Sequence, residues 1–325
     1  MRRAGGVHRP PATDRKRRGI VVVRPPWELT TVEVRERVIR RARLLLVVGH
    51  GRGRRTVVLD ADTGDFVGIP GRPRGPETEA LSLSPDGTHV VFRAGSRWRS
   101  ARRLVVHTLA TGEQRTFDAR ADGLDRQAVL SPDGFSLATL GDLDDDVLVS
   151  MLDIRTGARR RLWSTEGMSI LSGWLGWSPD ARRLAVTYDT HDADGRTVVI
   201  DARDGRVVSR HEGMVALPGA NGGWLGPDEL LLTPDEFDTD TPPVFLARPN
   251  TGEIDRHDPE LAWLDRLAAV DGRVIQRENI DPDVAGVRLV STELDGTEPR
   301  PFLTIGPGPG LALFDHAPRS GAWSA

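Results

Sequence analysis

Residues 81–93 read LSLSPDGTHVVFR: an apolar run, a Ser-Pro-Asp-Gly turn and a second apolar run. Proline presets φ for the first central position of a tight turn and glycine takes the left-handed conformation that closes it, so the stretch predicts a β-hairpin. The phrase returns as SPDG at 131–134, SPDA at 178–181 and GPDE at 226–229. Its prolines, Pro85, Pro132, Pro179 and Pro227, stand 47, 47 and 48 residues apart.

A second turn family keeps the same period. Gly64, Gly112, Gly157, Gly205, Gly252 and Gly296 each close a short polar turn, at spacings of 48, 45, 48, 47 and 44. Six turns imply six units, and a repeat of this length is one four-stranded blade. Strand A runs into the SPDG turn. Strand B follows as His89 to Arg93, Leu137 to Leu140, Leu184 to Tyr188 and Leu230 to Thr233. Strand C, rich in β-branched residues, ends three times in aspartate (Asp60, Asp153, Asp201) before the glycine turn, and a short strand D completes the unit. The expected fold is all-β: a six-bladed β-propeller of four-stranded antiparallel blades.

Blade sheets are covered on both faces, so inner strands read as continuous apolar runs. Counting back from the prolines, the second position is Leu83, Leu130, Trp177 or Leu225 and the fourth is Leu81, Ala128, Leu175 or Gly223; these are the predicted core positions. Blade one has B, C and D strands but no SPDG before them, while an apolar segment at 311–314 follows the last D strand. The C-terminal strand is therefore expected to supply the inner strand of blade one, which removes free sheet edges. Seven blades are the alternative, if residues 19 to 41 form strands that join the C-terminal segment. Residues 1–41 are read as an N-terminal extension, disordered over its first 18 or so residues and undecided between helix and strand at 28–41, and 42–325 as one propeller domain.

Net charge is −3, which gives the whole chain no electrostatic footprint for nucleic acid. Lys16 is the single lysine among 44 basic residues, read as the codon bias of a GC-rich bacterial genome. Zero cysteines exclude disulfides and thiolate chemistry. The apolar run Ile20 to Val23 is too short for a membrane span or a signal-peptide core. As written, the chain is expected in the cytoplasm.

The SPDG turn, the aliphatic strand after it and the strand ending in Asp before a glycine turn resemble the propeller repeat of TolB-type and related WD40-like proteins, over about 280 residues. The resemblance implies the fold and leaves the function open, because such propellers include periplasmic interaction domains, lids of serine peptidases and a few lyases. Propellers of this type usually carry a leader, so secretion or membrane anchoring follows if the true start lies upstream. Asp271 and Gly272 stand where a fifth SPDG would fall, without the proline, and no helical domain precedes the propeller as in TolB.

The B–C loops should emerge on one face, and they sort by charge. Blades one and two carry Arg52, Arg54 and Arg55, then Arg97, Arg99, Arg102 and Arg103 around Trp98. Blades three to six carry thirteen carboxylates, among them Asp144, Asp146, Asp189, Asp192, Asp194, Asp235, Asp238 and Asp240. Such a division orients a partner of complementary charge; the alternative is that solvated turns simply collect aspartate. The spacing of Asp144 with Asp146, and of Asp189, Asp192 and Asp194, suits a loop wrapping a hard cation such as calcium, although no full EF-hand pattern is present. Trp174, Trp177 and Trp224 fall on adjacent inner strands; Trp224, with Trp174, is the preferred pocket residue, against core packing as the alternative.

No nucleophile elbow, HExxH pair, P-loop or dinucleotide fingerprint occurs, and the histidines lack a telling spacing; a lyase set of His191, His211 and His257 is the outside case. The function expected is a non-catalytic, monomeric scaffold without a cofactor, binding a protein or peptide through Arg97, Trp98, Arg99, Asp238 and Asp240 as well as the tryptophans. The alternative is a calcium-dependent carbohydrate binder or polysaccharide lyase.

Overall fold

The structure, a computed structural model, describes residues 27–29, 34–48, 54–75, 78–95, 103–119, 124–143, 146–165, 170–190, 193–217, 222–235, 243–257, 266–270, 273–277, 287–294, 297–305 and 311–316. A short strand, β1 (Trp27–Leu29), comes first. Blade one contains β2 (Ala42–Val48), β3 (Arg55–Asp60) and β4 (Phe66–Gly68). Blade two is β5 (Glu79–Leu83), β6 (His89–Ala94), β7 (Arg103–Thr108) and β8 (Gln114–Asp118). Blade three is β9 (Leu124–Leu130), β10 (Ser136–Leu143), β11 (Asp146–Asp153) and β12 (Arg159–Thr165). Blade four is β13 (Ile170–Trp177), β14 (Arg183–Thr190), β15 (Ala193–Asp201) and β16 (Val207–Glu212). Blade five splits its inner strand into β17 (Met214–Ala216) and β18 (Trp224–Gly226), both paired with β19 (Glu229–Pro234), and continues with β20 (Val244–Arg248) and β21 (Glu253–His257). Blade six is β22 (Arg266–Val270), β23 (Arg273–Arg277), β24 (Val287–Thr292) and β25 (Arg300–Ile305).

The last strand, β26 (Leu311–His316), runs antiparallel to β2, with Phe314 opposite Leu46, and is the inner strand of blade one. The six sheets form a closed ring, and the closure is the one the sequence led us to expect. The apolar core lies between blades: Leu140, Val147 and Val149 of blade three meet Trp177, Leu184 and Val186 of blade four. Every residue of β2 is buried, as a strand covered on both faces requires.

The repeated phrase explains its own turn. Ser84 Oγ donates to Asp86 Oδ1 at 2.6 Å and accepts the His89 amide, while Asp86 accepts the Thr88 amide. The same bonds recur at Ser131 and Asp133, and at Ser178 and Asp180. Burial alone would raise the Asp86 carboxyl; hydrogen bonds from Ser84 and Thr88 carry it below its ordinary value instead.

Blade five departs from this pattern and corrects one expectation. Leu83 pairs with Val90, Leu130 with Leu137 and Trp177 with Leu184, but it is Trp224, not Leu225, that pairs with Leu230. The GPDE hairpin is one residue shorter, so alignment on the prolines misplaces its inner strand by one. Trp224 is therefore the counterpart of Leu83, Leu130 and Trp177, which keeps an unbroken 47-residue period, and Leu225 is only half-buried. With glycine in place of the turn serine, Asp228 instead accepts from Arg183 of blade four at 2.7 Å.

The described part of the N-terminal segment holds no helix: residues 27–29 form a strand, and 34–41 are irregular with one isolated bridge, Glu36 to Gly68. β1 runs parallel to β25 as a fifth strand of blade six, with Trp27 edge-on to Phe302 at 5.1 Å. Farther along, Arg35 and Arg37 exchange backbone hydrogen bonds with Gly68 on the outer strand of blade one. Arg37 is held there by Asp60 at 2.7 Å and Asp65 at 3.2 Å. The segment thus covers two outer edges on either side of the closure. Described residues 27–29 join blade six rather than seed a seventh sheet. No helix among the described residues is long and apolar enough to cross a membrane.

Candidate functional site

Antiparallel order within each blade sends the A–B and C–D turns to one end of the ring and the B–C loops to the other. The strand pairs nearest the loops fix their roots: Val48 with Arg55, Ala94 with Arg103, Leu143 with Asp146, Thr190 with Ala193. The roots of the arginine- and aspartate-bearing segments therefore share one face. Arg93 lies beneath it in blade two, paired with Glu79 at 2.5 Å, and Arg54 of blade one reaches the same carboxylate at 4.0 Å. In blade five Asp235 turns inward, accepting the Gly195 amide at 2.6 Å.

Of the expected ligand residues, Arg97, Trp98, Arg99, Asp238 and Asp240 lie outside the described residues, as do the metal candidates Asp144 and Asp192. Asp146 is half-buried at the start of β11. Asp189 and Asp194 stand on the two arms of one tight hairpin, closed by the pairing of Thr190 with Ala193. Among the described residues no three or more His, Asp or Glu side chains form a metal-binding group.

Trp224 sits elsewhere than a pocket would need. Trp224 is 1% exposed and packs between blades four and five against Ala185, Val199, Leu230 and Leu232. Its Nε1 donates to Gly176 O at 3.1 Å, so indole face and polar edge are both used within the core. Trp174 is half-buried and donates to Ala216 O at 2.7 Å, joining the same two blades. Their spacing on inner strands does not decide which way they face; the register does.

Of the histidines in the outside case, His211 and His257 lie on the outer strands β16 and β21, and His191 is outside the described residues. Burial pushes the His211 imidazole below its ordinary value. His89 is lowered by burial too, against the opposing pull of Asp86 and Glu113.

Sequence reasoning missed a feature on the opposite, turn-bearing face, where Arg160, Arg182 and Arg203 border a groove between blades three and four. The signal was present in Arg159 to Arg161 and in Arg182 with Arg183, but a chain this rich in arginine hides clusters in its composition.

TolB from Acinetobacter baumannii superposes with a TM-score of 0.58 at 15% identity, over 85% of this chain and 66% of that one. The fold is that of the TolB propellers. The chain spans just under two thirds of that TolB's length, and at this identity the likeness is one of fold. A structure of the nidogen/laminin complex matches this TolB-like ring with a TM-score of 0.53 at 14% identity, over 85% of this chain and 98% of that one. An oligogalacturonate lyase in complex with manganese matches with 0.51 at 12% identity, over 82% and 75%. No protein-family model matches the chain, and a comparison with curated proteins finds no match.

Proposed function

We propose that this TolB-like propeller is a non-catalytic scaffold that binds a protein or peptide partner on its charged loop face. One observation carries the reading: the topology gathers on a single face B–C loops that are basic in blades one and two and acidic in blades three to six. A face divided in this way orients an approaching partner and speeds its capture. Arg97, Trp98 and Arg99 are the side-chain types that anchor interfaces, and Asp238 and Asp240, in the B–C segment of blade five, supply the opposite charge. That a propeller of the same fold comes from a nidogen/laminin complex supports the reading. Because the ring closes its own edges, we read the unit as a monomer.

The test compares partner capture by the wild type and by two rim variants, Arg97→Ser with Arg99→Ser, and Asp144, Asp146, Asp192 and Asp194 all to Asn. A partner retained by the wild type and lost from either variant supports the reading; identical capture by all three overturns it.

A second reading rests on the aspartates of blade four. Asp189 and Asp194 stand on the two arms of one hairpin, with Asp192 between them in sequence, and a calcium ion held there would make the rim a carbohydrate-binding or lyase site; a lyase of the same fold is known with manganese. A saturable rise in melting temperature with calcium or manganese, reversed by chelator, supports this reading, since a ligand that binds only the native state must raise the midpoint. No shift overturns it.

A further inference from the structure

On the turn-bearing face, blades three and four leave between them a groove of about 380 Å³. Three guanidinium groups border it, from three different elements: Arg160 on β12, Arg182 in the A–B turn of blade four and Arg203 in its C–D turn. Arg160 is fixed across the gap by donation to Ala202 O at 3.0 Å. Arg182 is 82% exposed, and its nearest carboxylate, Asp180, is 3.8 Å away. Arg203 makes no side-chain hydrogen bond or ion pair among the described residues.

Two carboxylates also border the groove, but each has an oxygen committed to its own turn. Asp133 Oδ1 accepts from Ser131 Oγ and the Phe135 amide, and Asp201 Oδ1 accepts the Arg203 amide at 2.8 Å. The second oxygen of Asp201 is left to accept from outside. Trp177 and Met151 also line the groove, both nearly buried in the core between the two blades.

Backbone strain marks the same place. Ala181 has φ 60, where Gly87 and Gly134 hold the same turn position at φ 73 and 76. A left-handed residue with a side chain is strained, and such outliers gather at functional sites. Here the cost places a methyl group against the Trp177 cluster at the edge of the groove.

We propose that this groove binds an acidic peptide segment, its carboxylates taken by Arg160, Arg182 and Arg203. Carboxylates spaced along a peptide meet the guanidiniums one at a time, and a peptide N–H can donate to Asp201. A phosphate would bring its concentrated charge beside Asp133 and Asp201. The volume falls near the lower end of the range of about 300–1,000 Å³ for small-ligand sites, enough for a few side chains. The site lies on the face opposite the charged loops, so it stands or falls separately from the scaffold reading above.

The experiment is fluorescence polarisation with a fluorescein-labelled Glu-Leu-Glu-Phe peptide, its Gln-Leu-Gln-Phe counterpart and inorganic phosphate as competitor. Saturable binding of the acidic peptide is expected. It should weaken about tenfold or more in Arg182→Ser with Arg203→Ser, and stay unchanged in Arg206→Ser, a nearby turn arginine outside the groove. If the double variant melts early, Arg182→Ser alone carries the comparison, being almost fully exposed. Absence of binding at millimolar peptide, equal binding of the glutamine peptide, an equal loss in Arg206→Ser, or displacement by low-millimolar phosphate would each overturn the proposal.

Discussion

The indole Nε1 of Trp224 donates to Gly176 O at 3.1 Å, and Trp177 makes the same bond, at the same distance, to Val129 O one blade earlier. Donors and acceptors are both 47 residues apart, so this is a single interblade lock used twice among the described residues. Ser82 Oγ makes a related bond to Ala128 O at 2.7 Å between blades two and three. Where Leu83 and Leu130 occupy the equivalent position, the lock is apolar only.

Trp224→Phe removes the donor while keeping an aromatic ring, and should cost about 1–3 kcal/mol for the carbonyl left unpaired. Trp224→Ala adds the loss of buried ring and the cavity, for a total of about 3–5 kcal/mol. Denaturant unfolding checks both, with an unchanged slope showing that the compactness of the end states is the same.

Gly157 and Gly205 hold equivalent C–D turns at φ 76 and 77, yet a methyl group at Gly157 meets nothing within 4 Å while at Gly205 it would sit 1.7 Å from Leu162 O. Gly157→Ala should therefore cost only the left-handed penalty of about 1–2 kcal/mol. Gly205→Ala should cost about 2 kcal/mol more, because the backbone of blade three must move. Equal melting temperatures for the two variants would show that blades three and four do not approach in this way.

His107 is 1% exposed, lies edge-on to Phe92 at 6.2 Å, and has no hydrogen-bond partner on either ring nitrogen among the described residues. Burial pushes its imidazole below the ordinary value, and the neighbouring His89 acts in the same direction. The folded value thus lies below the unfolded one, so the unfolded chain takes up the proton first as pH falls. Stability should be fully present above about pH 6.5 and decline below it, towards the folded-state value. His107→Leu should flatten the fall in melting temperature between about pH 7.5 and 5.5; an unaltered slope would assign the acid sensitivity to His89 or His211.

Trp27→Ala should loosen the N-terminal segment without dissolving the ring, because the side chain sits on the added strand β1, against Phe302 and in the cluster shared by blades six and one. Amide exchange at Arg37 and Gly68, whose hydrogen bonds tie this segment to blade one, should quicken about tenfold. Protection of the buried strand β10 should stay as it is.

Much of the architecture was legible because turn chemistry is local. Ser, Pro, Asp and Gly in that order build a hairpin from bonds within six residues, so Ser84 to His89 announces itself wherever it recurs, and the period counts the blades. The missing inner strand of blade one was legible for the same reason, as a vacancy in a repeat. Which residues face a neighbouring blade was not always legible: a one-residue shortening at Gly226 to Glu229 moved Trp224 from an expected pocket into the core, and only the pairing with Leu230 reveals it.

The sequence by itself determined the blade period, the closure by the C-terminal strand and the division of charge among the B–C loops. All of these follow from short-range turn preferences and from the order of residues along the chain. Only the tertiary structure decided that the indoles of Trp177 and Trp224 lock successive blades, that residues 27–29 join the far edge of blade six, and that Arg160, Arg182 and Arg203 border one groove. Those facts depend on contacts between residues about a blade or more apart, whose register is set by packing across blades.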